Sequence, residues 1–188
     1  VSSDIDEVAL DRIRGALESH PAMRSAFERL LTRLLERAGV GLAVTGSFAT
    51  GTTDAYCDLD LLLLIGDRDP TAEDKHWVAA EVESLGTVLS SFPATHIGLP
   101  NLLIFFLGIG GEVVKIDDLT ARAPAMQNAM SSGAVVRPPS ANVAPPPPCP
   151  RTTELERCLS DEHIDRYRKF TGWVWYTYTK IARGELFE

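Results

Sequence analysis

Cysteine is scarce in this 188-residue chain: Cys57, Cys149 and Cys158 are odd in number and carry no metal-ligand spacing. That excludes a disulfide framework as the organising principle and points to reduced thiols in a cytoplasm. Basic residues are also few, 18 Lys and Arg against 26 Asp and Glu, a formal net charge of -8. A broad electrostatic grip on nucleic acid is therefore not expected, whereas a cationic small molecule would suit such a surface. No apolar run approaches the roughly 18 residues of a membrane span, and no basic segment followed by an apolar one opens the chain. The expectation is a soluble cytoplasmic protein. His20, His76 and His96 lack a Cys or His partner at ligand spacing, so surface or hydrogen-bonded roles are expected for them. The P-loop lysine is missing too. Gly46-Ser47-Phe48-Ala49-Thr50-Gly51 begins like a P-loop, but Thr52-Thr53 stand where Lys-Ser/Thr is required.

What is present centres on residues 43–65. A short apolar run, the first strand over Leu42–Thr45, ends in Gly46-Ser47, a turn able to hold phosphate through backbone N–H groups and the Ser47 hydroxyl. A small polar loop follows, and Asp58-Leu59-Asp60 then opens an aliphatic strand, Leu59–Ile65, nearly continuous as in a strand buried on both faces. Residues two apart on a strand point the same way, so Asp58 and Asp60 face one site. Two carboxylates at the mouth of a buried strand are costly unless neutralised, and a hard divalent cation is the usual remedy. Ions shared at about 4 Å would clamp both ends of an in-line phosphoryl displacement.

Around this stretch, residues 4–18 show helical spacing of Ile5, Val8, Ala9, Ile13, Ala16 and Leu17, with Ser3 or Asp4 as cap. A second helix follows Pro21, with Met23, Phe27, Leu30, Leu31, Leu34 and Leu35 inside and Arg24, Glu28, Arg29, Arg33 and Glu36 on a solvated face. A helix over Thr71–Leu85 buries Trp77, Val78, Val82 and Leu85. Gly86–Ile97 reads as a strand interrupted at Pro93, and Asn101–Leu107 and Glu112–Asp118 as a hairpin around Gly108-Ile-Gly-Gly111. That glycine cluster lies between strands and opens no helix, so it is a turn and not a dinucleotide loop. Alternation sets Lys115 and Asp117 on one face of the returning strand and Asp118 on the other, and a one-residue slip would reverse this. Residues 141–150, ending in four prolines, Cys149 and Pro150, read as a semi-rigid linker between a domain over 1–140 and a helical segment over 151–188. In that segment Leu155, Cys158, Leu159, Ile164, Tyr167, Phe170 and Trp173 recur at helical intervals, but Trp173–Lys180 fits helix or strand on periodicity alone.

Gly-Ser, ten residues, then Asp-x-Asp at the head of an aliphatic strand resembles the nucleotidyltransferase superfamily of the DNA polymerase β type, whose small members include aminoglycoside- and lincosamide-modifying enzymes. Relatives often carry Ser at the position of Cys57 and Arg near Thr50. The resemblance implies an α+β fold: a small mixed sheet flanked by helices, followed by a short helical domain. It makes Trp173–Lys180 a helix, ending in Lys180, Arg183, Gly184 and Glu185, and it implies further helices where this chain stops at Glu188. It also implies a third carboxylate in a Lys-x-Asp strand, here Lys115-Ile116-Asp117, with Asp118 as the alternative. The implied activity is Mg2+-dependent transfer of a nucleoside monophosphate, AMP from ATP or its counterpart from another NTP, to a hydroxyl of a small molecule such as an aminoglycoside or lincosamide. Two Mg2+ ions would be held by Asp58, Asp60 and Asp117. Gly46, Ser47, Lys115 and Lys180 would bind the nucleotide, with Lys115 alternatively the counter-ion of the carboxylates. Homodimerisation is a further expectation. The competing reading is an antitoxin-like domain, non-catalytic or protein-modifying, acting through a protein partner.

Overall fold

In the computed structural model, described for residues 5–37, 39–94, 99–121, 133–139 and 161–185, the first helix, α1 (Glu7–Ala16), starts at Asp6. The Asp6 carboxylate accepts the Ala9 N–H at 3.0 Å, satisfying one of the otherwise orphaned donors. The cap is thus Asp6; Ser3 and Asp4 lie outside the described residues. Ala9, Leu10 and Ile13 are buried, while Val8, one position round the helix, is 81% exposed and off the stripe. Helix α2 (Pro21–Glu36) has proline in its first turn, where no N–H is missed, and buries Met23, Phe27, Leu30, Leu31 and Leu34. Its charges are more than a solvated face. Glu28 accepts two bonds from Arg14 of α1, at 2.7 and 3.0 Å. Arg29 donates to the carbonyls of Leu85 and Ser84, and Arg33 to Glu81.

Strand β1 (Val40–Val44) leads into a five-residue helix, α3 (Gly46–Thr50), and β2 (Leu59–Ile65) runs back antiparallel to β1. Helix α4 (Ala72–Glu83) is set by a reciprocal capping box between Thr71 and Asp74, and buries Trp77, Val78 and Val82. Strands β3 (Thr87–Ala94), β4 (Leu99–Ile109), β5 (Glu112–Ala121) and β6 (Ala134–Arg137) complete a six-stranded sheet in the order β3-β4-β5-β2-β1-β6. Among the described strands only β2 and β5 pair in parallel, so the sheet is mixed and the fold is α+β. The β4–β5 turn falls at Gly110-Gly111. Strand β3 runs through Pro93, which pairs with Leu103, and an edge strand tolerates the missing N–H, but the register with β4 shifts between Pro93 and Ala94.

Leu59, Leu61, Leu63 and Ile65 of β2 pack with α1, α2 and α4 in the main core, while Leu62 and Leu64 pack on the other face with Ala43. The final helix, α5 (Asp161–Arg183), is continuous through Trp173–Lys180, which resolves the ambiguity of those alternating aromatics. It covers that second face beside β3 and β4, where Trp175 meets a cluster of Phe92, Ala94, Ile104 and Phe106. The helical segment therefore takes its core from the sheet. The linker over 141–150, Leu155, Cys158, Leu159 and His96 lie outside the described residues. No helix among those described is long and apolar enough to cross a membrane.

The docking is close at Gly172: a Cβ there would stand 2.3 Å from the Phe92 ring. Alanine improves helix propensity by about 1 kcal/mol, but overpacking a buried ring costs about 1–3 kcal/mol. Gly172→Ala is expected to lower the unfolding midpoint in a thermal melt. An unchanged or raised midpoint would show that α5 is not seated on Phe92.

Candidate metal and nucleotide site

Antiparallel pairing of β1 and β2 brings the end of one beside the start of the other. The Thr45 N–H donates to the Asp60 carbonyl at 2.9 Å, so the next residue, Gly46, lies against the Asp60 side chain. Contact is so close that a Cβ on Gly46 would stand 2.0 Å from Asp60 Oδ2, and Gly46 has a φ of +64°. Only glycine meets both conditions without strain. The Gly-Ser turn and the second aspartate of Asp-x-Asp are therefore one packed unit.

The parallel register of β2 and β5 sets Asp60 opposite Asp117 and Leu59 opposite Ile116. Carboxylate oxygens of Asp58, Asp60 and Asp117 consequently all lie within 4.8 Å of one another. Lys115 donates to Asp58 Oδ2 and, at 2.9 Å, to Asp117 Oδ2. Three carboxylates and one ammonium leave a formal charge of two negatives when all are ionised. Burial pushes the Asp60 carboxyl up to about 7, and the charges of Asp58 and Asp117 add to the shift against the pull of Lys115. Burial likewise raises Asp117, partly offset by Lys115. Burial disfavours the Lys115 charge, but Asp117 and Asp58 outweigh it and raise its pKa.

Asp117 Oδ1 is buried with no hydrogen-bond partner. A buried, unsatisfied carboxylate oxygen within a crowded all-oxygen cluster fits a hard divalent cation, which would fill that coordination and cancel the surplus charge. Asp58, Asp60 and Asp117 are the residues that could hold it. Asp118 is not among them. Opposite Leu61 in register, it is fully buried on the face that packs against α1, α2 and α4, bonded by the Thr120 hydroxyl at 3.3 Å, and burial raises its carboxyl to about 7.

Protonation and the binding of a cation would compete at Asp60. Its folded pKa is raised above its ordinary value of 3.8, so its contribution to stability is complete below that value. It is lost as pH rises through about 7. A cation binds the ionised form and displaces the proton. The Mg2+ needed for half-maximal thermal stabilisation should therefore be about tenfold higher at pH 6 than at pH 8, the effect of one linked proton. A pH-independent Mg2+ titration by differential scanning fluorimetry would contradict this assignment.

The other residues named from sequence are placed as follows. Ser47, in α3, is partly buried one residue from the Gly46–Asp60 contact, and its carbonyl accepts the Thr52 N–H at 3.0 Å. Lys180 is not brought into the carboxylate cluster among the described residues. Its ammonium pairs with Glu185 and lies 5.8 Å from the centre of the Tyr176 ring. The absence of a Cys–His pair at ligand spacing does not hold in space, because His20 Nε2 comes to 3.7 Å from the buried Cys57 Sγ. Sequence reading also missed the pairing of Asp54 with Arg183, 129 residues apart, a two-bond ion pair at 2.9 and 3.1 Å beside the loop that leads to Asp58. Arg183 was named only as part of the Lys180–Glu185 helix ending, and Asp54 showed only as a charged residue in a polar loop, so nothing in the sequence joined them.

Residues 27–91 match the model of a family described as a nucleotidyltransferase domain. The matched stretch runs from within α2 into β3 and includes Gly46, Ser47, Asp58 and Asp60, while β5 with Lys115 and Asp117 lies beyond it. No curated protein matches the chain. The match, on a mixed α+β sheet whose three carboxylates converge beside the Gly-Ser turn, supports a transferase of nucleotidyl groups.

Proposed function

We propose that this protein transfers AMP from ATP to a hydroxyl of a small-molecule acceptor, of the aminoglycoside or lincosamide class, and does so in a cytoplasm. The observation that carries this reading is the convergence of Asp58, Asp60 and Asp117 against Gly46, with Lys115 between two of the carboxylates. Mg2+ held by these carboxylates would offset charge on the departing pyrophosphate and lower the pKa of the acceptor hydroxyl.

The chain's own residues then divide the remaining work. Gly46, lacking a side chain, lets a triphosphate approach the turn, and the Ser47 hydroxyl and backbone N–H groups donate to its β- and γ-phosphates. Lys115, the counter-ion of Asp58 and Asp117, would donate to a phosphate of the bound nucleotide. Asp117 accepts the acceptor hydroxyl proton, a role favoured by its raised pKa. Lys180 reaches the triphosphate only by leaving Glu185. Positioning and charge neutralisation supply most of the rate, as phosphoryl transfer generally requires. The net charge of -8 favours a cationic acceptor over nucleic acid.

A second reading, action through a protein partner, is favoured by one observation. Phe170, Val174, Tyr178 and Ile181 form an apolar stripe along α5 and are each more than half exposed. A second copy of the chain is one occupant such a stripe would accept. The deciding assay is Mg2+-dependent pyrophosphate release from ATP with a panel of aminoglycosides and lincosamides, with product mass recorded. A mass gain of one AMP establishes the transferase and its acceptor. Mg-ATP binding without release with any of them would reject the small-molecule acceptor and favour the protein partner.

A further inference from the structure

Helix α5 does more than cover the sheet: we propose that Arg183 is a positioning residue that clasps the Asp54–Cys57 turn and so holds Asp58 in the carboxylate cluster. The inference rests on the metal-site reading of Asp58, Asp60 and Asp117. The helix ends where it does for a local reason. The Glu185 N–H returns to the Lys180 carbonyl at 2.9 Å and the Gly184 N–H to the Ile181 carbonyl at 3.0 Å, the paired bonds of a Schellman ending. That ending makes Arg183 the last helical residue. Its guanidinium donates from Nε to Asp54 Oδ2 at 2.9 Å and from Nη2 to Asp54 Oδ1 at 3.1 Å. The same Nη2 also donates to the Tyr56 carbonyl at 3.0 Å.

Asp54 is the hub of the turn as well as the partner of the arginine. Its Oδ1 accepts the Tyr56 N–H at 2.7 Å, and its carbonyl accepts the Cys57 N–H at 3.4 Å. Asp58 comes next in the chain. The Tyr56 ring meets Tyr178 of α5 edge-on at 6.2 Å, a second link between the same turn and helix. Tyr178 continues through Trp175 to Phe106 on the sheet, at 6.0 and 5.8 Å, so the clasp is anchored in the fold. Arg183 is raised in pKa first by its bond to Asp54, and Asp58 is among the carboxylates that add to the shift.

An exposed ion pair alone contributes little, and Asp54 is about half exposed. A planar fork that binds both oxygens of one carboxylate and a backbone carbonyl is different in kind, because it fixes orientation as well as distance. The residue's effect should therefore appear in loop order and metal affinity and not in global stability.

The test uses the full chain with Arg183→Gln, Asp54→Asn and their double variant, read by amide hydrogen exchange and by Mn2+ titration followed by electron paramagnetic resonance. Each single variant is expected to speed exchange across residues 54–59 by about tenfold, with the double variant no faster than either, because both remove one local constraint. Mn2+ affinity should fall in step. Unchanged exchange in Arg183→Gln would overturn the clasp. Faster exchange with wild-type Mn2+ affinity would overturn the positioning of Asp58. If Mn2+ binds the wild type and Asp60→Asn equally, the metal-site reading fails on its own account, and the exchange result still decides whether Arg183 orders the turn.

Discussion

Asp60→Asn is expected to reduce Mg2+-dependent nucleotidyl transfer by at least about 1,000-fold, since several kcal/mol of charge neutralisation are lost at 1.36 kcal/mol per tenfold. The fold should not suffer. Asparagine keeps the shape of the side chain and removes a charge that the site disfavours, as the rise of the Asp60 pKa to about 7 shows. Repulsion with Asp58 and Asp117 is relieved at the same time. In metal-free buffer the variant should therefore melt at or above the wild-type temperature, while its Mg2+-induced stabilisation disappears. Lost activity with raised metal-free stability is the signature of a group retained for chemistry at a cost to folding. Retained turnover in both Asp58→Asn and Asp60→Asn would remove the basis for the proposed reaction. A large loss of metal-free stability would instead make these carboxylates structural.

Gly46→Ala should damage stability and site together. A left-handed backbone costs an L-residue about 1–2 kcal/mol, and forcing an extra carbon into a filled space typically adds about 1–3 kcal/mol. At Gly46 both apply, since φ is +64° and the new carbon would stand 2.0 Å from Asp60 Oδ2. The Asp60 backbone cannot retreat freely, because its carbonyl is bonded to the Thr45 N–H. Its carboxylate must swing away, and metal affinity and turnover should fall along with the denaturation midpoint. Gly51→Ala is the matched control. Gly51 has a φ of +73° and nothing within 4 Å of where a Cβ would stand, so strain alone applies. It should cost about 1–2 kcal/mol of stability and leave Mg2+ affinity near wild type. Equal losses of metal affinity in both variants would show that the Gly46–Asp60 contact has no special role.

Much of this arrangement was legible in the chain. The aliphatic run Leu59–Ile65 and the helix expected over Thr71–Leu85, observed as Ala72–Glu83, were readable because their side-chain periods are local properties of the backbone. Pro93 was legible only in part: the register does shift just after it, but the strand continues through it because proline costs little at a sheet edge, a position its own residues do not reveal. The α2 charges do lie on a solvated face, with Arg24, Arg29, Arg33 and Glu36 exposed, but the pattern could not show their partners. A helix face opposite the apolar stripe is solvated by default, yet Arg29 and Arg33 find partners near the end of α4 that lie about fifty residues away in sequence.

The sequence by itself determined which residues could do the chemistry: Gly46-Ser47, the Asp58 and Asp60 pair on one strand face, and Lys115 with Asp117 on another. Two-residue alternation is enough for each pair taken alone. Tertiary structure decided that these pairs form one site. The parallel register of β2 and β5 sets Asp60 beside Asp117 and sends Asp118 into the core. The antiparallel return from β1 presses Gly46 against Asp60, and the docking of α5 carries Arg183 to Asp54 while leaving Lys180 with Glu185. Register and docking depend on contacts between residues far apart in the chain, and a one-residue slip in either would dismantle the cluster without changing a single local pattern.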